Sequence, residues 1–155
     1  MKLIAIGLLS VSLIALSSCF SKSELSSVKM TSSLPEEGIQ FFEGNWTKAL
    51  EQARKENKLI FLDAYASWCG PCKQLKRKTF PDKAAGEFFN KNFINIAIDM
   101  EKGEGPALGA KYSVTAYPTL IIADADGKLV AYTKGLINPT QLIEFGNYGL
   151  SQGKN

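Results

Sequence analysis

The hydrophobic residues of this chain fall into short runs and stripes that predict alternating strands and helices. Residues 59–64 form an apolar run with the length of a buried strand. Residues 93–99 predict a second strand, because alternate positions place isoleucines on one face: Ile94, Ile96 and Ile98. A helix is predicted over residues 46–55, with Asn45 as its N-cap, since apolar residues recur there at spacings of three and four.

The rest of the pattern completes an α/β fold. A short first strand is predicted at residues 39–42, and a helical segment at residues 73–78. The later elements are an apolar stripe ending in a turn, a short helix, a β-hairpin and a final helix that begins at Asn138-Pro139: residues 85–92, 107–112, 119–133 and 138–145. This order predicts one α/β domain with a mixed central β-sheet flanked by helices.

Two cysteines separated by two residues follow the central apolar run. Cys69 and Cys72 lie between the predicted strand and the predicted helix, so they occupy a strand-to-helix corner. At such a corner the first cysteine meets the positive end of the helix dipole, which favours the thiolate, the attacking species in disulfide exchange. We therefore expect Cys69 to be the exposed, acidic thiol and Cys72 the shielded one.

A cysteine pair of this spacing also occurs in zinc sites and inert disulfides. A closed zinc site usually needs four nitrogen or sulfur ligands, whereas the predicted domain offers two cysteines and the chain has no histidine. A bridge across two residues closes so small a loop that it adds only about 2 kcal/mol in the chain-entropy model. Redox chemistry is the better interpretation.

The segment from Phe61 to Lys73, with Trp68-Cys69-Gly70-Pro71-Cys72 at its centre, resembles the active-site segment of the thioredoxin family. The resemblance continues through Tyr117-Pro118-Thr119, Asp126-Gly127 and Gly135, and it covers roughly residues 46–145. It implies a thioredoxin fold and a thiol-disulfide oxidoreductase that needs no cofactor. It also implies that Tyr117-Pro118 is a cis peptide bond beside Cys69.

The resemblance further assigns roles within the site. Cys69 would attack a partner disulfide, and Cys72 would resolve the mixed disulfide. The substrate surface would be formed by residues around the pair and on the cis-proline loop: Trp68, Gly70, Pro71, Tyr117, Pro118 and Gly135. The Gly70-Pro71 dipeptide matches reducing members of the family. The family often has a kink-forming proline where this chain has Arg77, and an aliphatic residue where it has Tyr117.

Asp63 is the one charged residue in the central apolar run. A buried carboxylate costs free energy unless it is paired or protonated. In the thioredoxin family, an aspartate six residues before the first cysteine lies behind the pair, and Asp63 has that position. Burial would raise its pKa and suit it to exchange a proton with Cys72. The alternative is a strand-end aspartate that faces solvent.

The N-terminus predicts export. Met1-Lys2, a mostly apolar run and Ser17-Ser18-Cys19 follow the pattern of a signal peptide. Residues 16–19 resemble a bacterial lipobox, in which Cys19 is lipidated and becomes the first mature residue; a plain secretory signal is the alternative. We expect a signal peptide at 1–18, a serine-rich flexible tether at 19–38 and a thioredoxin-like domain at 39–150.

Composition limits the partners. The chain has 155 residues and a formal net charge of +3, so nothing in it calls for nucleic acid. No metal site is predicted.

We expect a monomeric, periplasm-facing lipoprotein of the bacterial cell envelope that reduces disulfide-containing proteins and receives electrons from a membrane donor. The alternatives are a disulfide oxidase or isomerase, or a tethered module that binds polypeptide without turnover.

Overall fold

The computed structural model describes residues 37–153 and contains four strands and five α-helices in that range. The strands are β1 Leu59–Tyr65, β2 Phe93–Asp99, β3 Thr119–Ala123 and β4 Leu129–Lys134. The helices are α1 Trp46–Glu56, α2 Gly70–Gln74, α3 Lys83–Asn92, α4 Gly105–Lys111 and α5 Pro139–Gln152. Helix α2 continues directly into a π-helical segment, Leu75–Thr79.

The four strands form one mixed sheet in the order β2-β1-β3-β4. Strands β1 and β2 are parallel, whereas β3 is antiparallel to both β1 and β4. Strand β1 is therefore central, which explains its nearly continuous burial and its apolar sequence. The predicted mixed sheet and the predicted hairpin are confirmed.

Each face of the sheet carries its own hydrophobic core. On one face, α1 and α4 pack over the even-numbered residues of β1 and β2, including Leu62 and Ile96. On the other face, the π-helical segment, α3 and α5 pack over Phe61 and Phe93. Asp63 shares the second face with Phe61, because side chains two apart on a strand point the same way. The sandwich thus encloses Asp63 below the active-site helix.

The predicted helix caps are present. The side chain of Asn45 accepts a hydrogen bond from the Lys48 amide at 2.9 Å. Asn138 and Gln141 form a reciprocal capping box at the start of α5, with both bonds at 3.0 Å. Capping of this kind satisfies amides that have no partner within the helix.

Two predicted features are wrong in detail. Residues 39–42 form no strand; they lie as an extended segment that makes single backbone bonds to Phe80 and Asn95 instead of a ladder. The predicted turn at 90–92 belongs to α3, which continues through Asn92. Gly38, the last residue of the predicted tether, is buried, and its carbonyl accepts a hydrogen bond from Asn90 at 3.0 Å.

The leader, Cys19 and the rest of the tether up to residue 36 lie outside the described residues. Within residues 37–153, no helix has the length and apolar character needed to cross a bilayer.

Candidate active site

The cysteine pair lies where the central strand turns into the active-site helix, as predicted. Strand β1 ends at Tyr65, and the Cys69 amide then donates to the Ala66 carbonyl at 3.1 Å to close a turn. Cys69 is the N-cap of α2, and Pro71 lies in the first helical turn, where its missing amide hydrogen costs nothing. Local sequence chemistry therefore fixes Cys69 at the positive end of the helical segment.

Cys69 and Cys72 form a disulfide with an S–S distance of 2.12 Å. The Cys72 amide donates a hydrogen bond to the Cys69 sulfur at 3.1 Å. The same contact, kept after reduction, would stabilise negative charge on the Cys69 sulfur. Cys69 and Cys72 are 2% and 1% exposed, so both residues are buried in the disulfide-bonded form. The prediction that Cys69 is the exposed thiol concerns the reduced form and stays a prediction. The exposed residues at this corner are Ser67, Trp68, Gly70 and Pro71.

Asp63 is fully buried, which confirms the expectation of an interior carboxyl group. Neither of its carboxyl oxygens has a hydrogen-bond partner among the described residues. Burial raises the pKa of Asp63 from its ordinary value of 3.8 to about 7, while the charge of Lys76 acts in the opposite direction. A carboxyl group with this pKa exchanges protons readily at neutral pH.

Trp68 forms an exposed rim beside the disulfide. Its side chain is 67% exposed, yet its indole nitrogen donates to the Glu101 carboxylate at 2.8 Å. The Trp68 ring also meets the Tyr117 ring edge to face, with centroids 6.0 Å apart. These contacts give the exposed indole a defined orientation over the site.

The loop before β3 forms the other side of the surface around the disulfide. The Tyr117-Pro118 peptide bond is cis, as the family resemblance implied. Tyr117 packs against the small cluster formed by Ala66 and the two cysteines. Gly135 has a φ of +90°, and its amide donates to the Pro118 carbonyl at 2.8 Å. Gly135 therefore supports the cis-proline loop through a backbone conformation that glycine adopts without strain.

Two further side chains contribute to the site, and the sequence alone predicts no role for either. Glu101 accepts the hydrogen bond from Trp68, and no local pattern indicates this contact. Lys76 contacts the Tyr65 ring. Its position four residues after Cys72 puts Lys76 and Cys72 on one side of the helical segment, which is the only local sign of its place at the site. Among residues 37–153, no group of three His, Cys, Asp or Glu side chains is arranged to hold a metal ion.

A mixed sheet with a Cys-x-x-Cys disulfide at the start of the helix after its central strand, together with a cis-proline loop beside it, defines a thiol-disulfide oxidoreductase. Such a site exchanges two electrons by forming and breaking a disulfide, with proton transfer to and from its thiols.

Comparison with known proteins gives the same result, and the chain belongs to the thioredoxin-like family: the sequence model of the thioredoxin-like domain matches residues 46–150. A thioredoxin of Echinococcus granulosus is 45% identical over 74 residues, which are 48% of this chain and 64% of that protein. The solution structure of a candidate disulphide-isomerase from Bacteroides thetaiotaomicron is 40% identical, with a TM-score of 0.66, covering 74% of this chain and 94% of that one. The thiol:disulfide interchange protein DsbD of Yersinia pestis is 27% identical over 95 residues, 59% of this chain but 16% of DsbD.

Proposed function

We propose that this protein is a membrane-anchored reductase of protein disulfides in the bacterial cell envelope. The observation that carries the proposal is the Cys69–Cys72 disulfide at the start of the helical segment, with the buried Asp63 on the strand before it. The Gly70-Pro71 dipeptide supports the reducing direction, by its resemblance to reducing family members. The predicted leader with Cys19, and the similarity to an interchange protein, support the cell envelope.

The reaction begins from the reduced pair. The Cys69 thiolate attacks one sulfur of a partner disulfide, and the other partner sulfur leaves as a thiolate. Asp63 then accepts the proton of Cys72, with a water molecule as the bridge between the carboxylate and the thiol. The Cys72 thiolate attacks the Cys69 sulfur, which releases the second partner thiolate and forms the Cys69–Cys72 disulfide. Two electrons have passed to the partner, and a dithiol donor must restore the reduced pair.

The surface residues serve to hold the partner. Trp68, Gly70 and Pro71 form the exposed rim, and the backbone of Tyr117, before Pro118, would pair with an extended segment of the partner. Tyr117 replaces the aliphatic residue that is common in the family. Its ring would therefore give this protein a preference for partners that differs from that of other family members. A membrane-held domain on a tether would meet such partners at a raised effective concentration.

Serine variants of the two cysteines test the assigned roles. Cys72→Ser should accumulate mixed disulfides with envelope proteins through Cys69, because the resolving thiol is missing. Cys69→Ser is the matched control, since it keeps one thiol in the same site but lacks the proposed attacking group. If only the Cys69→Ser variant traps partners, through Cys72, the attacking and resolving roles are reversed. Equal trapping by both variants would contradict the assignment of separate roles. Mass spectrometry of the trapped species identifies the partners.

One observation favours a second candidate, a disulfide isomerase or oxidase. The similar structure from Bacteroides thetaiotaomicron is described as a candidate disulphide-isomerase. Reduction of insulin with dithiothreitol, compared with reactivation of scrambled ribonuclease, separates the two activities. The reductase proposal expects fast insulin reduction and little reactivation. Failure in both assays would favour the tethered polypeptide-binding module.

A further inference from the structure

Asp63 needs a favourable contact to ionise. It lies in the interior, and neither carboxyl oxygen accepts a hydrogen bond from the described residues. Its neighbours across the sheet in β2 and β3 are Ala97 and Leu120, which bear no charge. Burial alone therefore favours the neutral acid, whereas the proposed function needs the carboxylate as a proton acceptor.

Lys76 is placed to supply that contact. Its ammonium nitrogen lies 3.6 Å from the centroid of the Tyr65 ring, close enough for a cation–π interaction. Tyr65 follows Asp63 by two residues on β1, so the two side chains leave the strand on the same face. The Tyr65 ring thus holds the ammonium group on the side of the sheet where Asp63 lies.

Lys76 lies in a surface hollow beside the strand that pairs with β1. It is an exposed residue, and it lines this hollow of about 410 Å³ together with Glu37, Phe41, Phe80 and Ala97. Ala97 is also the neighbour of Asp63 in the register of β1 and β2. The hollow therefore places Lys76 beside the strand position that pairs with Asp63.

We propose that Lys76 is a positioning residue of the redox site: held over the Tyr65 ring, its ammonium group stabilises ionised Asp63 and keeps the carboxylate available to accept the proton of Cys72. This inference rests on the proposed role of Asp63. The π-helical segment that begins at Leu75 lies where the family often has a proline, and Lys76 lies within it. Lys76, which contacts Tyr65, therefore lies in the wider turn of the π-helical segment.

The titratable groups next to Asp63 are Lys76, Tyr65 and, after reduction, Cys69 and Cys72. Glu37 lines the hollow with Lys76, and the charges of Asp99 and Lys102 act on Tyr65. Burial and the nearby carboxylates raise the pKa of Tyr65, so its hydroxyl stays protonated across the neutral range. In the oxidised protein the cysteines do not titrate, and the influence of Lys76 on Asp63 can be measured alone.

The test is a carbon-13 NMR titration of the Asp63 carboxyl group in the oxidised full-length protein, with Asp63→Asn used to assign the signal. Lys76→Gln should move the titration midpoint of Asp63 to higher pH, because it removes the positive charge. Lys76→Arg keeps the charge and should restore the midpoint. Lys78→Gln is the matched control, an equal change of charge at an exposed residue of the same segment, and should leave the midpoint in place.

Turnover provides the second measurement. The acidic limb of the pH profile of insulin reduction should move upward in Lys76→Gln, with activity below the limb reduced by up to about fivefold, the range of an exposed ion interaction. An unmoved Asp63 midpoint, or an equal shift in Lys78→Gln, would overturn the inference. A moved midpoint with an unmoved pH profile would overturn the role in turnover. Failure of the proposed function itself gives a different result, namely an Asp63→Asn variant with unchanged turnover.

Discussion

At the scale of single residues, Asp63 links the stability of the protein to its chemistry. Strand β1 places a carboxyl group among apolar side chains without a hydrogen-bond partner in the described part of the chain. Such a group lowers stability whenever it is ionised. A residue that lowers stability in this way is a candidate for a functional role, and the role proposed for Asp63 is proton exchange with Cys72.

Replacement of Asp63 should slow turnover. Asp63→Asn keeps the shape of the side chain but cannot accept the proton of Cys72. We expect a decrease of up to about 100-fold at pH 7, the lower end of what a positioned general base contributes. The decrease should shrink as the pH rises towards the pKa of a free thiol, because Cys72 then ionises without help. Insulin reduction across pH 6 to 9 measures this, and equal turnover of both proteins at pH 7 would count against a role for Asp63.

The same residue predicts a pH dependence of stability. The pKa of Asp63 is about 7 in the folded protein and near its ordinary value of 3.8 when unfolded. Between these values the folded protein holds a proton that the unfolded chain has released. The free energy of unfolding therefore falls as the pH rises from about 4 to about 7, by on the order of 4 kcal/mol from this group.

Asp63→Asn should remove that part of the slope. The oxidised variant should gain stability relative to the oxidised wild type as the pH rises through this window. Urea unfolding at several pH values measures the difference between the two proteins. A difference that stays constant with pH would mean that Asp63 ionises as readily in the folded protein as in the unfolded chain.

The sequence was informative about individual residues where the cause is local. Asn45 and Asn138 cap helices because of their own side chains, and the Asp63 position is unusual within its own strand. It was uninformative about contacts between distant segments. The bond between Trp68 and Glu101 joins residues 33 positions apart, and the cluster that contains Cys69 packs against Tyr117 of the distant cis-proline loop.

At the scale of elements, the strands were predictable because β1 and β3 are nearly continuous apolar runs buried on both faces, and the isoleucines of β2 occupy alternate positions. The segment at residues 39–42 was predicted as a strand from its apolar character alone. In the structure it packs beside α3, where side-chain bonds from Asn90 and Asn95 replace a strand ladder. A sequence pattern does not distinguish these two ways of satisfying an extended backbone.

The packing of this segment predicts a contrast between two helical glycines. Gly86 in α3 faces the backbone of Gly38 so closely that a Cβ atom would overlap it. Gly86→Ala should therefore destabilise the protein by about 1–3 kcal/mol, the usual cost of overpacking. Gly109→Ala in α4 is the matched control. Its Cβ would have Met100 as its nearest neighbour at 3.9 Å, so the variant should gain about 0.5–1 kcal/mol from helix propensity.

Denaturant unfolding of the two variants measures this contrast. A neutral Gly86→Ala would show that residues near Gly38 move away from α3 at little cost. The packed segment would then be an extension of the tether and not part of the folded domain.

At the scale of the whole molecule, the folded domain and the predicted export and lipidation signal lie in different parts of the chain. The fold described for residues 37–153 carries the redox site, whereas the predicted leader, Cys19 and most of the tether precede it. In the proposed function the two parts act together, because a reducing site in an oxidising envelope would need a supply of electrons, and a lipid anchor would keep the site near a membrane donor.

Lipidation of Cys19 can be tested directly. Mass spectrometry of the protein purified from bacterial membranes should find an N-terminus at lipidated Cys19. Cys19→Ser should block this processing and release the protein from the membrane fraction or leave its leader attached. Cys69→Ser, which changes a cysteine of the domain only, should be processed like the wild type. An unmodified Cys19 in the mature protein would contradict the anchor.

The reduction potential of the Cys69–Cys72 pair tests the reductase assignment most directly. Equilibration of the protein with glutathione buffers of known ratio, followed by alkylation and mass measurement, gives the fraction reduced at each potential. Known proteins of this chemistry range from about −270 mV for thioredoxin to about −120 mV for the oxidant DsbA. The Gly70-Pro71 dipeptide predicts a value near the reducing end. A potential well above about −200 mV would contradict a reductase and indicate an oxidase or isomerase.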